Sequence, residues 1–142
     1  MPAADRPPIG MALNRAARIV GRAFDEALTE AGGSLPIWLV LLNVETDQAA
    51  TQRSLAAALG LREPTLSHHL ATMESDGLIT RHRDDANRRV QVVALTDDGR
   101  ARFGQLRDAA VAFDVRLRDG VADEDVELAA GVLARLSANV SS

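Results

Sequence analysis

The chain contains no cysteine, which excludes disulfides, thiolate metal ligation and a redox-sensing thiol whatever the compartment. It also contains no lysine, so all 16 of its Lys and Arg positions are arginine. Arginine's planar fork suits bidentate contacts to phosphate or guanine, and a coding bias toward arginine is the competing explanation. No apolar run approaches the ~18 residues of a membrane span, and the opening Met1-Pro2-Ala3-Ala4-Asp5-Arg6-Pro7-Pro8 lacks the basic-then-apolar order of a signal peptide. Neither export nor insertion is expected, and a cytoplasmic location fits. Missing too are a Gly-rich phosphate loop, a nucleophile beside a plausible base, and a His and acid at catalytic spacing. The chain is therefore not expected to be an enzyme, and no cofactor is implied. Its three histidines, His68, His69 and His82, do not suggest a metal. Adjacent His68 and His69 point ~100° apart on a helix, and no carboxylate cluster stands at ligand spacing.

What is present is a 142-residue chain, 46% hydrophobic and 25% charged, enough for one compact unit with a sizeable core. Net charge is −4, which on its face argues against a nucleic-acid binder, because DNA affinity comes largely from cations that neutralise phosphates. The distribution matters more. Residues 81–107 hold seven Arg against four acids, and residues 108–142 hold three Arg against seven acids. Positive charge is thus concentrated in one stretch, as a basic surface patch requires.

Apolar residues from Ile9 to Ala31 recur at helical spacing, and Gly32-Gly33 ends that helix. Ser34 offers an N-cap, Pro36 fits the first turn, and Ile37 to Val44 is almost wholly apolar, which predicts a buried second helix. Thr51 caps a short third helix that ends at Gly60. A three-to-four-residue turn then leads into a fourth, from about Glu63 to Asp76, with Gly77 just past its end. Two short helices joined this tightly read as helix-turn-helix. Leu78-Ile79 and the β-branched run Val90 to Leu95 predict a hairpin with Arg81 to Arg89 as its tip. Thr96 caps a long fifth helix that Gly120 ends, and a sixth starts near Asp123.

The fold expected is mainly α with a small β-hairpin wing: a winged helix-turn-helix with flanking dimerisation helices. Residues 1–8 read as a flexible arm, 9–33 and 100–142 as the helical dimerisation region, and 34–99 as the winged unit, within which 51–96 reads DNA. The end helices carry more apolar stripe than one small winged domain covers, so a homodimer is expected.

On the fourth helix Leu66, Leu70 and Met73 share the face that packs inward. The opposite face carries Pro64, Thr65, His68, Ala71, Thr72 and Ser75, with Ser67 on its flank: short, polar, uncharged side chains that can enter a major groove. An ordinary solvated face would look the same, and the tight turn before it and the basic hairpin after it favour the DNA reading. In that hairpin Arg81, Arg83, Arg88 and Arg89 stand near Asp84-Asp85-Ala86-Asn87. A solvated salt-bridged turn is one possibility; a wing whose arginine reaches the minor groove while an acid orients it is the other.

The ordered set Ser34-Leu35-Pro36-Ile37-Trp38, Thr51 to Ala56, Leu59-Gly60-Leu61, Met73 to Ile79, Asp85 to Arg89 and Leu95-Thr96-Asp97-Asp98-Gly99 resembles the MarR family of transcriptional regulators. The resemblance implies a homodimer on double-stranded DNA, bound to a pseudo-palindromic operator and repressing nearby genes until a small molecule weakens binding. It places DNA contacts at Arg53, Pro64, Thr65, Ser67, His68, Thr72, Arg83, Arg88 and Arg89. A small aromatic or amphipathic effector would lie between the dimer helices and the winged unit, against Trp38, Leu42 and Phe103, residues that core packing also explains. The chain departs from the family pattern at His68, where Arg is common, and at Asn87, where Asp is common. Histidine cannot make arginine's bidentate contact with guanine. A winged-helix module that binds only other proteins is the alternative function.

Overall fold

The computed structural model describes residues 6–47 and 50–142. Six helices and one hairpin follow in the order α1 (Ile9–Glu30), α2 (Leu35–Thr46), α3 (Gln52–Leu59), α4 (Glu63–Ser75), β1 (Ile79–Arg83), β2 (Gln91–Leu95), α5 (Asp97–Leu117) and α6 (Asp123–Val140). The chain divides into two compact units, residues 1–110 and 111–142. Of the expected N-terminal arm, residues 1–5 lie outside the described ones. Pro8 is already the N-cap of α1, its carbonyl accepting from the Met11 and Ala12 amides at 3.0 and 3.2 Å.

The helix starts are set by side chains next to them in sequence. Ser34 accepts from the Ile37 amide, and α2 begins at Leu35, two residues before the apolar run that announces it. Thr51 and Ser54 form a reciprocal capping box at 2.9 and 3.0 Å, which satisfies two amides that the first turn of α3 leaves open. At the far end Gly60 adopts φ 66°, a left-handed cap that costs a residue without Cβ nothing. The chain turns within Gly60-Leu61-Arg62 and enters α4.

In the first unit Leu28, Val40, Leu41, Leu66 and Leu70 have no exposed surface, and Met73, Ile79 and Val93 have almost none. The face of α4 expected to pack inward is thus the one buried. Against it sits an antiparallel two-stranded hairpin with register Ile79↔Leu95 through Arg83↔Gln91. The outer edge of β2 is not left free: the Val93 amide donates to the Ala50 carbonyl at 3.0 Å, and Thr51 bridges Val92. The hairpin is therefore tied to the chain just ahead of α3 as well as to the end of α4.

One expectation needs correction here. Arg81 to Arg89 is not all hairpin tip, because Arg81, His82 and Arg83 are the second half of β1, paired with Val93, Val92 and Gln91, and β2 starts one residue after Val90. The polar Thr80-Arg81-His82-Arg83 run hides a strand whose backbone is completed by its partner. Similarly, α5 ends at Leu117, and Gly120, at φ 76°, serves the turn that follows.

Thr96 joins α4, the wing and α5. Its hydroxyl donates to the Gly77 carbonyl at 2.5 Å and accepts from the Gly99 amide at 3.0 Å, and its amide donates to the Leu78 carbonyl at 3.1 Å. Thr96→Val keeps the shape and removes both hydroxyl bonds, leaving half-buried backbone groups unpaired. We expect a loss of about 1–2 kcal/mol, measured as a lower urea midpoint at unchanged slope.

In the second unit Arg118 links the end of α5 to the first turn of α6, meeting Asp114 at 3.4 Å and Asp123 at 3.1 Å, while the Arg116 guanidinium lies over the buried Phe113 ring. None of the residues of α6 is buried, and Leu128, Val132, Leu133 and Val140 are exposed. On α1, Ile9, Met11, Leu13 and Ile19 are exposed as well. No single helix among the described residues is long and apolar enough to cross a membrane.

Candidate nucleic-acid interface

The outward face of α4 presents Pro64, Thr65, His68, Ala71, Thr72 and Ser75, all exposed, with Ser67 half-buried at its edge. The Thr72 hydroxyl donates back to the His68 carbonyl at 3.2 Å, so it offers a lone pair outward rather than a proton. The face carries small dipoles and one imidazole and no carboxylate between Pro64 and Ala71, the composition that base edges in a major groove admit. Glu63 stands at its very start, in the first turn, where it complements the positive end of the helix.

Beside that start lies an open groove of about 690 Å³ lined by Thr51, Gln52, Arg53, Glu63, Asn87, Arg89, Val90 and Gln91. Three separate segments converge on it: the first turn of α3, the first turn of α4, and the hairpin. Arg53 and Arg89 are the two members of the sequence-derived set that it brings together. Gln52 and Gln91 lie outside that set; Gln52 could have been noticed beside Arg53 at a helix start, whereas Gln91 has no signal until the hairpin closes.

Within the wing the arginines do different things. Arg81 is largely enclosed, its amide donating to Glu74 Oε2 at 3.1 Å and its guanidinium pairing with Oε1 at 3.4 Å. This clips β1 to the last turn of α4. Arg83 donates from Nη1 to the Arg88 carbonyl at 2.8 Å. The tip is closed by the Asp84 amide on the Val90 carbonyl and the Val90 amide on the Asn87 carbonyl, both at 2.9 Å. Asn87 Oδ1 accepts from the Arg89 amide at 3.2 Å. The side chains of Arg88 and Arg89 are exposed and form no hydrogen bond or ion pair among the described residues, so two guanidinium groups are left facing solvent from a braced loop.

Elsewhere, Trp38 is buried and stacks on Phe103 with ring centroids 5.6 Å apart and 9° between planes. The Arg107 guanidinium stands 5.9 Å from the Phe103 ring. Leu42 is half-buried and packs on the same core. The rings of His68 and His69 are 6.1 Å apart and tilted by 59°, and no group of three or more His, Asp or Glu side chains gathers at metal-binding range among the described residues.

The MarR family model matches residues 34–91, which is the stretch from the N-cap of α2 to the first residue of β2. The transcriptional repressor CouR, solved on a 23-mer DNA duplex, superposes with a TM-score of 0.85 at 26% identity, covering 92% of this chain and 92% of that one. Over this stretch the chain resembles MarR-family transcriptional regulators. Two further structures match beyond the winged unit, over the flanking helices as well. A MarR-family transcriptional regulator from Rhodococcus sp. RHA1 matches with a TM-score of 0.81 at 26% identity over 90% of this chain and 91% of that one. CouR from Rhodococcus jostii RHA1, bound to p-coumaroyl-CoA, matches with a TM-score of 0.78 at 26% identity over 90% of each chain.

Proposed function

We propose that this chain is a cytoplasmic, non-catalytic repressor of the MarR type that binds a pseudo-palindromic operator as a homodimer and is released by a small-molecule effector. The observation that carries the DNA reading is the pairing of two unlike surfaces on one side of the winged unit. One is a small, uncharged face on α4; the other is a braced hairpin whose Arg88 and Arg89 side chains have no partner among the described residues, with Arg53 across the adjoining groove. The first can discriminate bases and the second can neutralise phosphates, a division typical of sequence-specific binders. In this reading Thr65, Ser67, His68 and Thr72 meet base edges with Pro64 shaping the helix start, and Arg53, Arg88 and Arg89 hold the backbone or the minor groove. That the similar repressor CouR was solved on a 23-mer DNA duplex supports duplex DNA as the ligand.

Exposed apolar side chains on α1 and along α6 support a second copy as partner, since a monomer rarely leaves such faces in water. The effector is the finest part of the proposal. It is supported by the aromatic pair Trp38 and Phe103 with Arg107 beside it, a combination that suits an aromatic acid or thioester, and by the p-coumaroyl-CoA complex of CouR.

Selection of bound fragments from random duplexes with the purified protein tests the proposal. A palindrome with half-sites about one helical turn apart is expected, and Thr65→Ala or His68→Gln should change the preferred bases within it. Absence of enrichment, together with no salt-dependent binding to random duplex, would leave the protein-binding module as the better reading.

A further inference from the structure

We infer that Arg83 is a positioning residue, exposed itself, which braces the wing tip by holding a loop carbonyl so that Arg88 and Arg89 make the tip's contacts with DNA. The inference rests on the DNA-binding reading above and reassigns one of its residues. Arg83 is the last residue of β1, and its side chain crosses the loop to the Arg88 carbonyl. The other tip bonds fix different groups: the amides of Asp84, Arg89 and Val90 and the carbonyls of Asn87 and Val90. None of them holds the Arg88 carbonyl. Without Arg83 the peptide between Arg88 and Arg89 has no bond on its oxygen side, and both exposed guanidinium groups hang from that peptide.

The charge arrangement points the same way. Asn87, at the turn, is neutral and spends its Oδ1 on the Arg89 amide, so no carboxylate at that position draws Arg88 or Arg89 back onto the loop. Asp84 turns its carboxylate to the Ala86 amide, and no ion pair involves Arg88 or Arg89 among the described residues. Orientation of the two outward arginines therefore comes from backbone geometry, and Arg83 is the side chain that fixes it.

A double-mutant cycle on the duplex recovered by selection tests this. Arg83→Met, which keeps the stem and removes charge and donors, should weaken binding about three- to tenfold, the effect of losing one such bond. Arg83→Lys, which retains a charge and an N–H donor, should recover most of the loss. In an Arg88→Ala/Arg89→Ala background Arg83→Met should change affinity by less than about twofold, because a residue that acts through others is not additive with them. Amide exchange at Val90 and Asp84 should quicken in the Met variant while the melting temperature stays near that of wild type. An equal loss in both backgrounds would show that Arg83 touches DNA itself and overturn the inference, as would wild-type binding by Arg83→Met. If instead Arg88→Ala/Arg89→Ala binds like wild type, the wing reading itself falls, a result that does not depend on Arg83.

Discussion

Replacing Gly99 with alanine should cost about 2–4 kcal/mol and lower the urea midpoint by well over the effect of any surface change, because a Cβ there has nowhere to go. Gly99 is buried in the first turn of α5, and an added methyl would run into the backbone carbonyl of Leu78. That carbonyl accepts from the Thr96 amide, and the Gly99 amide donates to the Thr96 hydroxyl. The obstacle is thus main chain held by a hydrogen bond, not a side chain that can swing aside. To admit the methyl, either α5 must retreat from Leu78, where the chain passes from α4 to β1, or the Thr96 bonds must stretch. Both moves separate the wing from the end of α4, so DNA binding should fall along with stability. A control in the same helix has the opposite sign. A Cβ at Gly104 meets nothing within 4 Å, so Gly104→Ala should stabilise by about 0.5–1 kcal/mol through helix propensity alone. Urea titration of the two variants side by side separates close approach from glycine content; similar midpoints would mean that α5 does not press on Leu78.

Gly99 also shows where sequence reasoning stops. The helix starts at Ser34, Thr51 and Thr96 are legible because a cap and the amide it serves are three residues apart, and the chemistry is local. The inward stripe of α4 is legible because Leu66, Leu70 and Met73 repeat at helical spacing. The approach of Gly99 to Leu78 spans the whole hairpin, and nothing in either residue announces it. The arginines of the wing divide for the same reason. Arg81 and Arg83 look like loop residues in a polar run, and only the pairing with Val93 and Gln91 makes them strand. Arg83 then finds a carbonyl, and Arg81 a carboxylate on α4, through contacts that exist only once the hairpin has closed. What local reading recovers is the inventory of cations; tertiary structure decides which of them are already spent. The groove between α3, α4 and the wing is a further case, since its walls come from residues 51–53, 63 and 87–91.

That distinction gives the largest effect expected on binding. Arg88→Ala/Arg89→Ala should weaken operator binding about a hundredfold or more at moderate salt, since each residue removes one charge-assisted contact, while leaving stability untouched because neither side chain has a hydrogen-bond or ion-pair partner among the described residues. The salt dependence carries more information than the affinity. Each phosphate neutralised contributes about −0.9 to the slope of log K against log salt on duplex DNA. Two arginines on one protomer account for about 1.8 of that slope, and four on a symmetric dimer for about 3.6. Measured on the selected palindrome, a slope that flattens by the larger amount places both wings on DNA at once, and the smaller amount places one. His68→Gln and Thr65→Ala should move the preferred bases and leave the slope where it was, since neither neutralises a phosphate in this reading. Should the double arginine variant keep the wild-type slope and lose only specificity, the roles assigned to α4 and the wing would have to be exchanged.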